Sequence, residues 1–267
     1  MRYLVTPPPF WQLLLAMAKI SLGIPIYNSS AFLEGLFECL RRLAPLPDEI
    51  ILLDDASADD SLQRLRVFAE TSGLSVPLRV LSNDHNAGIA GAYNRLAREA
   101  TGEWLQLLDG DDELVERDYF ALVRPVLAAN NDLVVTGLNS NSRLLAGGSR
   151  WFRQLVPRHP PVWWPLLGSF ATRSGVIYRR RSLVEHPFVD PMYPGSDVIH
   201  LLELRRMGRC AFMPRPRVFH RVHNKSQSSR SRDYTTYRQQ LARFGGRIRL
   251  TYSLDIGIRQ MGHRWSR

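Results

Sequence analysis

Four short polar clusters, each directly after an apolar run, constrain this chain more than any other feature. They are Tyr27-Asn28, Asp54-Asp55, residues 83–88 and residues 109–112. The runs before them, 19–26, 49–53, 78–81 and 104–108, read as strands. Helix signals lie between. One starts with Ser29 or Ser30 as its cap and runs to about Leu43, with Phe32, Leu33, Leu36, Phe37 and Leu40 on one face, until Pro45 and Pro47 stop it. Further helices are expected over 59–71, 91–100 and 118–129, with a strand over 133–135. This alternation predicts an α/β fold built on a mostly parallel sheet with helices on both faces. Ligands of such sheets bind beyond the carboxyl ends of the strands, so all four clusters are expected on one edge.

The second half is less regular. Residues 175–178 read as a strand and 197–207 as a helix that Gly208 ends. Gly147-Gly148-Ser149 and residues 157–165 read as loops. Charge divides the chain as well. Residues 1–125 carry 11 Lys and Arg against 18 Asp and Glu, whereas residues 126–267 carry 24 against 7. Nearly all the basic residues are Arg, which suits recognition of phosphate; a solvated basic face is the plainer alternative. No nucleic-acid-binding motif is present, so no nucleic-acid partner is expected.

Pro7-Pro8-Pro9 interrupts the N-terminus, and the apolar run 10–18 contains Gln12 and is too short to span a bilayer. It reads as a cap on the sheet and not as a secretory signal. Cys39 and Cys210 lie far apart and make no metal-ligand pair; both read as reduced and intracellular.

The cluster after the fourth strand, Asp109-Gly110-Asp111-Asp112, puts three carboxylates in four positions. They repel one another unless a cation or an acidic-site function holds them. Hard divalent cations take oxygen ligands and bridge carboxylates to substrate phosphates. An acidic turn that caps a helix is the bland alternative.

Taken together, Ile24-Pro25-Ile26-Tyr27-Asn28, Asp54-Asp55-Ala56-Ser57-Ala58-Asp59, the stretch from Asn86 through Gly88 to Asn94, and Asp109-Gly110-Asp111-Asp112 resemble the family 2 inverting glycosyltransferases of the GT-A fold. The likeness is specific over about 19–120, weak over 126–187 and present again over 188–229. Ala56 departs from it, where the family usually has Gly. The resemblance implies one GT-A domain with three parts: a nucleotide-sugar-binding half, 1–125; an acceptor-binding half carrying the catalytic base, 126–229; and a basic helical tail, 230–267. It implies a nucleotide-sugar donor, a divalent cation (Mn or Mg), and a hydroxyl of a glycan or lipid-linked acceptor. The setting it implies is cell-surface polysaccharide or lipopolysaccharide synthesis.

By the same resemblance, Asp55 accepts a hydrogen bond from the base, and Pro25, Tyr27 and Asn28 line the nucleoside site. Gly88 lets the backbone approach the nucleotide. Asp109 reaches the ribose or a metal-bound water. Asp111 ligates the metal, and Asp112 either joins it or caps the turn. Asp197, at a helix start, is the expected base, with Ser196 where the family more often has Glu. In His220-Arg221-Val222-His223-Asn224-Lys225, His223 completes the metal site and Arg221 or Lys225 holds the diphosphate.

Two rival functions remain. A sugar-phosphate nucleotidyltransferase wants a Gly-rich basic loop after the first strand, where this chain has Tyr27-Asn28-Ser29-Ser30. A non-enzymatic basic binder leaves the acidic edge unexplained. A cytoplasmic protein is expected, attached peripherally to anionic membrane through Arg243, Arg247 and Arg249, with Trp163-Trp164 as apolar contacts.

Overall fold

Ile20, Leu22, Ile24 and Ile26 alternate with Ser21, Gly23 and Pro25 along strand β1 (Ile20–Ile26), and all seven are buried. A strand buried on both faces needs a different partner for each set. The bulky set joins one core cluster with Leu36, Phe37, Phe68 and Phe120. The small set lies under helix α3 (Gly88–Glu99): a Cβ on Gly23 would stand 3.3 Å from the Leu96 side chain. Small residues on one face of β1 therefore set how closely that helix approaches.

The computed structural model describes residues 18–129, 131–141, 173–189, 196–223, 235–241 and 243. Within them the other elements are α1 (Leu33–Arg42), β2 (Glu49–Asp54), α2 (Ser61–Thr71), β3 (Leu78–Ser82), β4 (Trp104–Leu107), β5 (Glu113–Leu114), α4 (Tyr119–Leu127), β6 (Leu133–Ser140), β7 (Val176–Arg179), α5 (Arg180–Glu185), α6 (Ser196–Met207), β8 (Cys210–His220) and α7 (Thr235–Leu241). One eight-stranded sheet runs β3-β2-β1-β4-β7-β6-β8-β5. The pairs β3-β2, β2-β1, β1-β4 and β6-β8 are parallel, and the three pairs made by β7 and β5 are antiparallel. The mostly parallel α/β sheet is as expected. Strands on both sides of residue 125 share it.

Helices α1, α2 and α4 supply the cluster on one face, and Phe37 and Phe68 stack there at 4.0 Å. Helices α3, α5 and α6 supply the other, where Tyr93, Leu96, Leu183, Leu201 and Leu204 meet Leu105 and Leu107. At the bottom of the sheet the buried Glu49 carboxylate accepts from the hydroxyls of Ser21 and Thr101 and the Thr101 N–H. Burial pushes its pKa up, but these donors and Arg79 outweigh burial and hold it below the ordinary glutamate value.

Several expectations need correction. Helix α3 starts at Gly88, one turn before the expected 91. Neither Ser29 nor Ser30 caps α1. A short 3-10 turn, Ser30–Phe32, precedes it, and the two serines tie the loop to residues 59–61 instead. Strand β8 was not anticipated, because Pro214 and Pro216 remove ladder donors. The sheet accommodates them with a register shift: Val135 pairs with Phe212, and the next pair is Gly137 with Arg217. Helix α5 was also not anticipated. Cys39 and Cys210 are not bonded to each other. The loops at 147–149 and 157–165, Trp163-Trp164, Lys225, Arg247, Arg249 and most of the N-terminal run lie outside the described residues. The short α7 lies against α6, and no helix among the described residues is long and apolar enough to cross a membrane.

Candidate active site

Every parallel strand ends on one edge of the sheet, and the polar clusters gather there. Two loops come first. The Asn28 backbone N–H donates to Ser57 Oγ at 2.9 Å, and its side-chain oxygen accepts from the Ala58 N–H at 2.8 Å. Both loops turn through left-handed backbone, at Asn28 (φ 47°) and Ala56 (φ 58°). Asp55 is buried between them. Its Oδ1 accepts from the Ala87 N–H at 2.9 Å and from the Asn83 amide. Gly88, also left-handed (φ 70°), opens α3 beside it, and Tyr27 stands half exposed on the same edge.

The acidic turn rests on the end of β1. A Cβ on Gly110 would fall 2.6 Å from the Ile26 side chain and 3.2 Å from the Pro25 carbonyl, so only glycine lets the turn lie this close. Pro25 is buried beneath the turn and lines no open face.

The three carboxylates meet different surroundings. Asp109 accepts from the Tyr93 hydroxyl and faces the Arg173 guanidinium at 3.7 Å. Burial pushes its carboxyl up to about 6; Arg173 opposes the rise, and the Asp112 and Asp111 carboxylates add to it. Asp111 meets His223 Nε2 at 2.8 Å, and both side chains are about one-fifth exposed. Asp112 is fully buried and saturated by protein donors. Ser174 Oγ donates to it at 2.6 Å, the Arg221 N–H at 3.0 Å, and His220 Nδ1 lies 3.0 Å away. Burial pulls the His220 imidazole down, but the Asp112 carboxylate outweighs this and lifts its pKa above the ordinary value. Asp112 thus fastens the turn to β8 and keeps no open side toward a cation, against the expectation that it ligates one. The Arg221 side chain is also committed, to the Asp111 carbonyl at 3.2 Å and Glu113 at 2.6 Å.

Asp197 starts α6, and its carboxylate lies 4.0 Å from the Arg173 guanidinium. Arg173 therefore stands between Asp109 and Asp197, over the Tyr93 ring. Asn94 of α3 holds the segment leading to α6 at two points: its amide donates to the Phe188 carbonyl at 3.0 Å and accepts the Phe188 N–H at 2.9 Å.

Of the expected residues, the acidic turn, Arg221 and His223 meet one another, and Arg173 links Asp109 to Asp197. Asn28, Asp55 and Gly88 lie in the neighbouring loops on the same edge. Arg173 and Ser174 were not anticipated. Their signal was present, a polar pair just before the strand expected at 175–178. Because β7 is antiparallel, its beginning and not its end reaches the ligand edge.

Among the described residues no group of three or more His, Cys, Asp or Glu side chains is placed to hold a metal ion, so Asp111 and His223 are the pair that would take a divalent cation together with donor oxygens. A carboxylate oxygen and an imidazole nitrogen already converge at 2.8 Å, and the crowded carboxylates at 109–112 favour a positive charge beside them. Two protein donors leave the remaining positions to water and phosphate oxygens.

Comparisons with known proteins agree with this architecture. Residues 1–349 of S. aureus TarS, solved with UDP-GlcNAc, superpose with a TM-score of 0.65 at 16% identity, covering 92% of this chain and 72% of that one. The mannosyltransferase PcManGT of Pyrobaculum calidifontis, solved with GDP-Man and Mn2+, also gives 0.65, at 18% identity over 92% and 74%. Both show the GT-A fold. The uncharacterized glycosyltransferase YibD of Escherichia coli K12 is 31% identical over 139 residues, 52% of this chain and 38% of its own length. A PGL/p-HBAD biosynthesis glycosyltransferase of Mycobacterium tuberculosis H37Rv is 31% identical over 122 residues, 45% and 46%. The match thus spans less than half the length of these two relatives. Residues 21–185, more than half the chain, match the model of glycosyl transferase family 2, and the chain belongs to that family.

Proposed function

We propose that the protein transfers a sugar from a nucleotide-sugar donor to an acceptor hydroxyl with inversion at the anomeric carbon. The observation that carries this is Arg173, which lies within 4.0 Å of both Asp109 and Asp197 and so joins the acidic turn to a carboxylate on a different element. Asp55 and Gly88 bind the nucleoside end, with Tyr27 and Asn28 beside it. Asp109 orients the ribose side of the donor. Asp111 and His223 would hold a divalent cation, which would supply positive charge beside the leaving diphosphate. Asp197 accepts the proton of the acceptor hydroxyl as its oxygen attacks the face opposite the diphosphate. Arg173 keeps Asp197 aimed. Arg221 acts by fixing the turn.

The reading extends to a glycan or lipid-linked acceptor in cell-surface polysaccharide or lipopolysaccharide synthesis, at the cytoplasmic face of a membrane. Its support is the basic second half and the named role of the mycobacterial relative. Anionic vesicles should sediment the protein at low salt and release it at high salt. Equal binding to neutral vesicles would count against this attachment and leave the tail packed on the domain through α7.

Asp197→Asn should keep donor affinity and lower turnover about 10²-fold or more. Asp111→Asn should weaken Mn2+-supported donor binding. NMR of the product should show the inverted anomer; a retained anomer, or near-normal turnover of Asp197→Asn, overturns the assignment of the base.

A further inference from the structure

The nucleoside end of the site carries a hydrogen-bonding pattern that selects among bases. Asp55 is the acceptor there, and its two oxygens are not equivalent. Oδ1 receives the Ala87 N–H at 2.9 Å and the Asn83 amide, which fill both of its lone pairs. Oδ2 accepts no hydrogen bond from any described residue. The orientation of the Asn83 amide is fixed independently. Its oxygen accepts from Arg95 Nη1, which also donates to the Ser82 carbonyl at 2.7 Å, so its nitrogen must face Asp55. That nitrogen carries a second hydrogen that no described residue accepts. This edge thus offers one carboxylate acceptor with an amide donor nearby.

We infer that this site is built for a base presenting a single imide N–H flanked by carbonyls, uracil or thymine, and against guanine. The inference rests on the donor-binding reading above. Guanine pairs with a carboxylate through two adjacent donors, N1–H and the N2 amino group, and needs both oxygens free. Here the second oxygen is filled, so one guanine donor meets two protein donors or is left unpaired in a desolvated site. A uracil N3–H takes Oδ2, and whichever carbonyl lies toward Asn83 accepts its spare hydrogen. The ring imide is also a more acidic donor than the amino groups of adenine or cytosine.

The test is calorimetric titration of the full chain with UDP, dTDP, GDP, ADP and CDP, each with Mn2+. UDP or dTDP should bind at least about tenfold tighter than GDP, the scale of one buried unpaired donor. GDP binding as tightly as UDP, or tighter binding of ADP or CDP, overturns the inference while leaving a nucleotide-sugar enzyme in place. No binding of any of the five overturns the donor reading itself. Asn83→Ala frees Oδ1 of one donor and should bring the UDP-to-GDP ratio toward one. A variant that binds both more weakly at an unchanged ratio gives Asn83 a structural role only and counts against the pattern.

Discussion

At the residue scale, neighbours in sequence prove to have unlike roles. Asp111 and Asp112 are both carboxylates of one turn, yet the first side chain meets His223 at the edge and the second is sealed behind it. Asp112→Ala removes the acceptor for Ser174, His220 and the Arg221 N–H. Urea denaturation should show a loss of about 3 kcal/mol, the scale of breaking a buried charged network. Asp111→Ala should change stability by far less. Equal losses would make both residues structural. Ala56 provides a second test. It stands at φ 58°, where an L side chain costs about 1–2 kcal/mol against the following carbonyl. Glycine loses part of that gain to its freer unfolded chain. Ala56→Gly should therefore stabilise the protein by about 1 kcal/mol in urea denaturation, and a destabilised variant would contradict the strain. That Ala56 stands where the family usually has Gly was legible from the sequence; its cost required the backbone angle.

At the element scale, the β1 to β4 half was legible because β1, β2 and β4 are buried on both faces, β3 is a partly buried apolar run at the edge, and the helices between them carry apolar stripes. The β6 to β8 half was not. β8 carries two prolines, and it persists because the β6 partner skips past them and Glu116 holds Arg217 from outside the sheet at 2.9 Å. Strand β7 runs against its neighbours, which reversed the rule used to find polar clusters. Helix α3 joins the halves through Asn94. Asn94→Ala frees the Phe188 backbone and loosens the approach to α6. Turnover should fall about tenfold with UDP-sugar affinity unchanged, as expected when positioning is lost by a fraction of an ångström. A parallel loss of donor affinity would mean that the variant damages α3 itself.

At the scale of the whole molecule, two buried groups make the fold acid-sensitive. The His200 ring lies tilted against Phe188 at 4.1 Å, and its Nε2 lies 2.9 Å from the His186 carbonyl. Burial lowers its pKa below the ordinary 6.5; the His186 carbonyl and Asp197 oppose this, and the His186 side chain adds to it. The unfolded chain therefore takes up this proton first. Stability falls as the pH drops below about 6.5, down to the folded value. Glu49, held below its ordinary range, adds a loss at lower pH, when the carboxylate is protonated through its folded value. His220 and Asp109, whose values are raised, add stability as the pH falls through the same window, so the test is differential: between pH 7 and 5 the native chain should lose denaturation midpoint relative to His200→Phe, which keeps the ring and removes the proton. An unchanged slope would assign the acid sensitivity elsewhere. The sequence by itself determined the sheet class, the ligand edge and the acidic turn, since those follow from local periodicity and from carboxylates that cannot crowd together without cause. Only the tertiary structure decided which carboxylate is open and which is sealed. It alone brought Arg173 between Asp109 and Asp197 and showed that one oxygen of Asp55 is already taken. Those outcomes depend on strand direction and on donors distant in sequence, which no local pattern encodes.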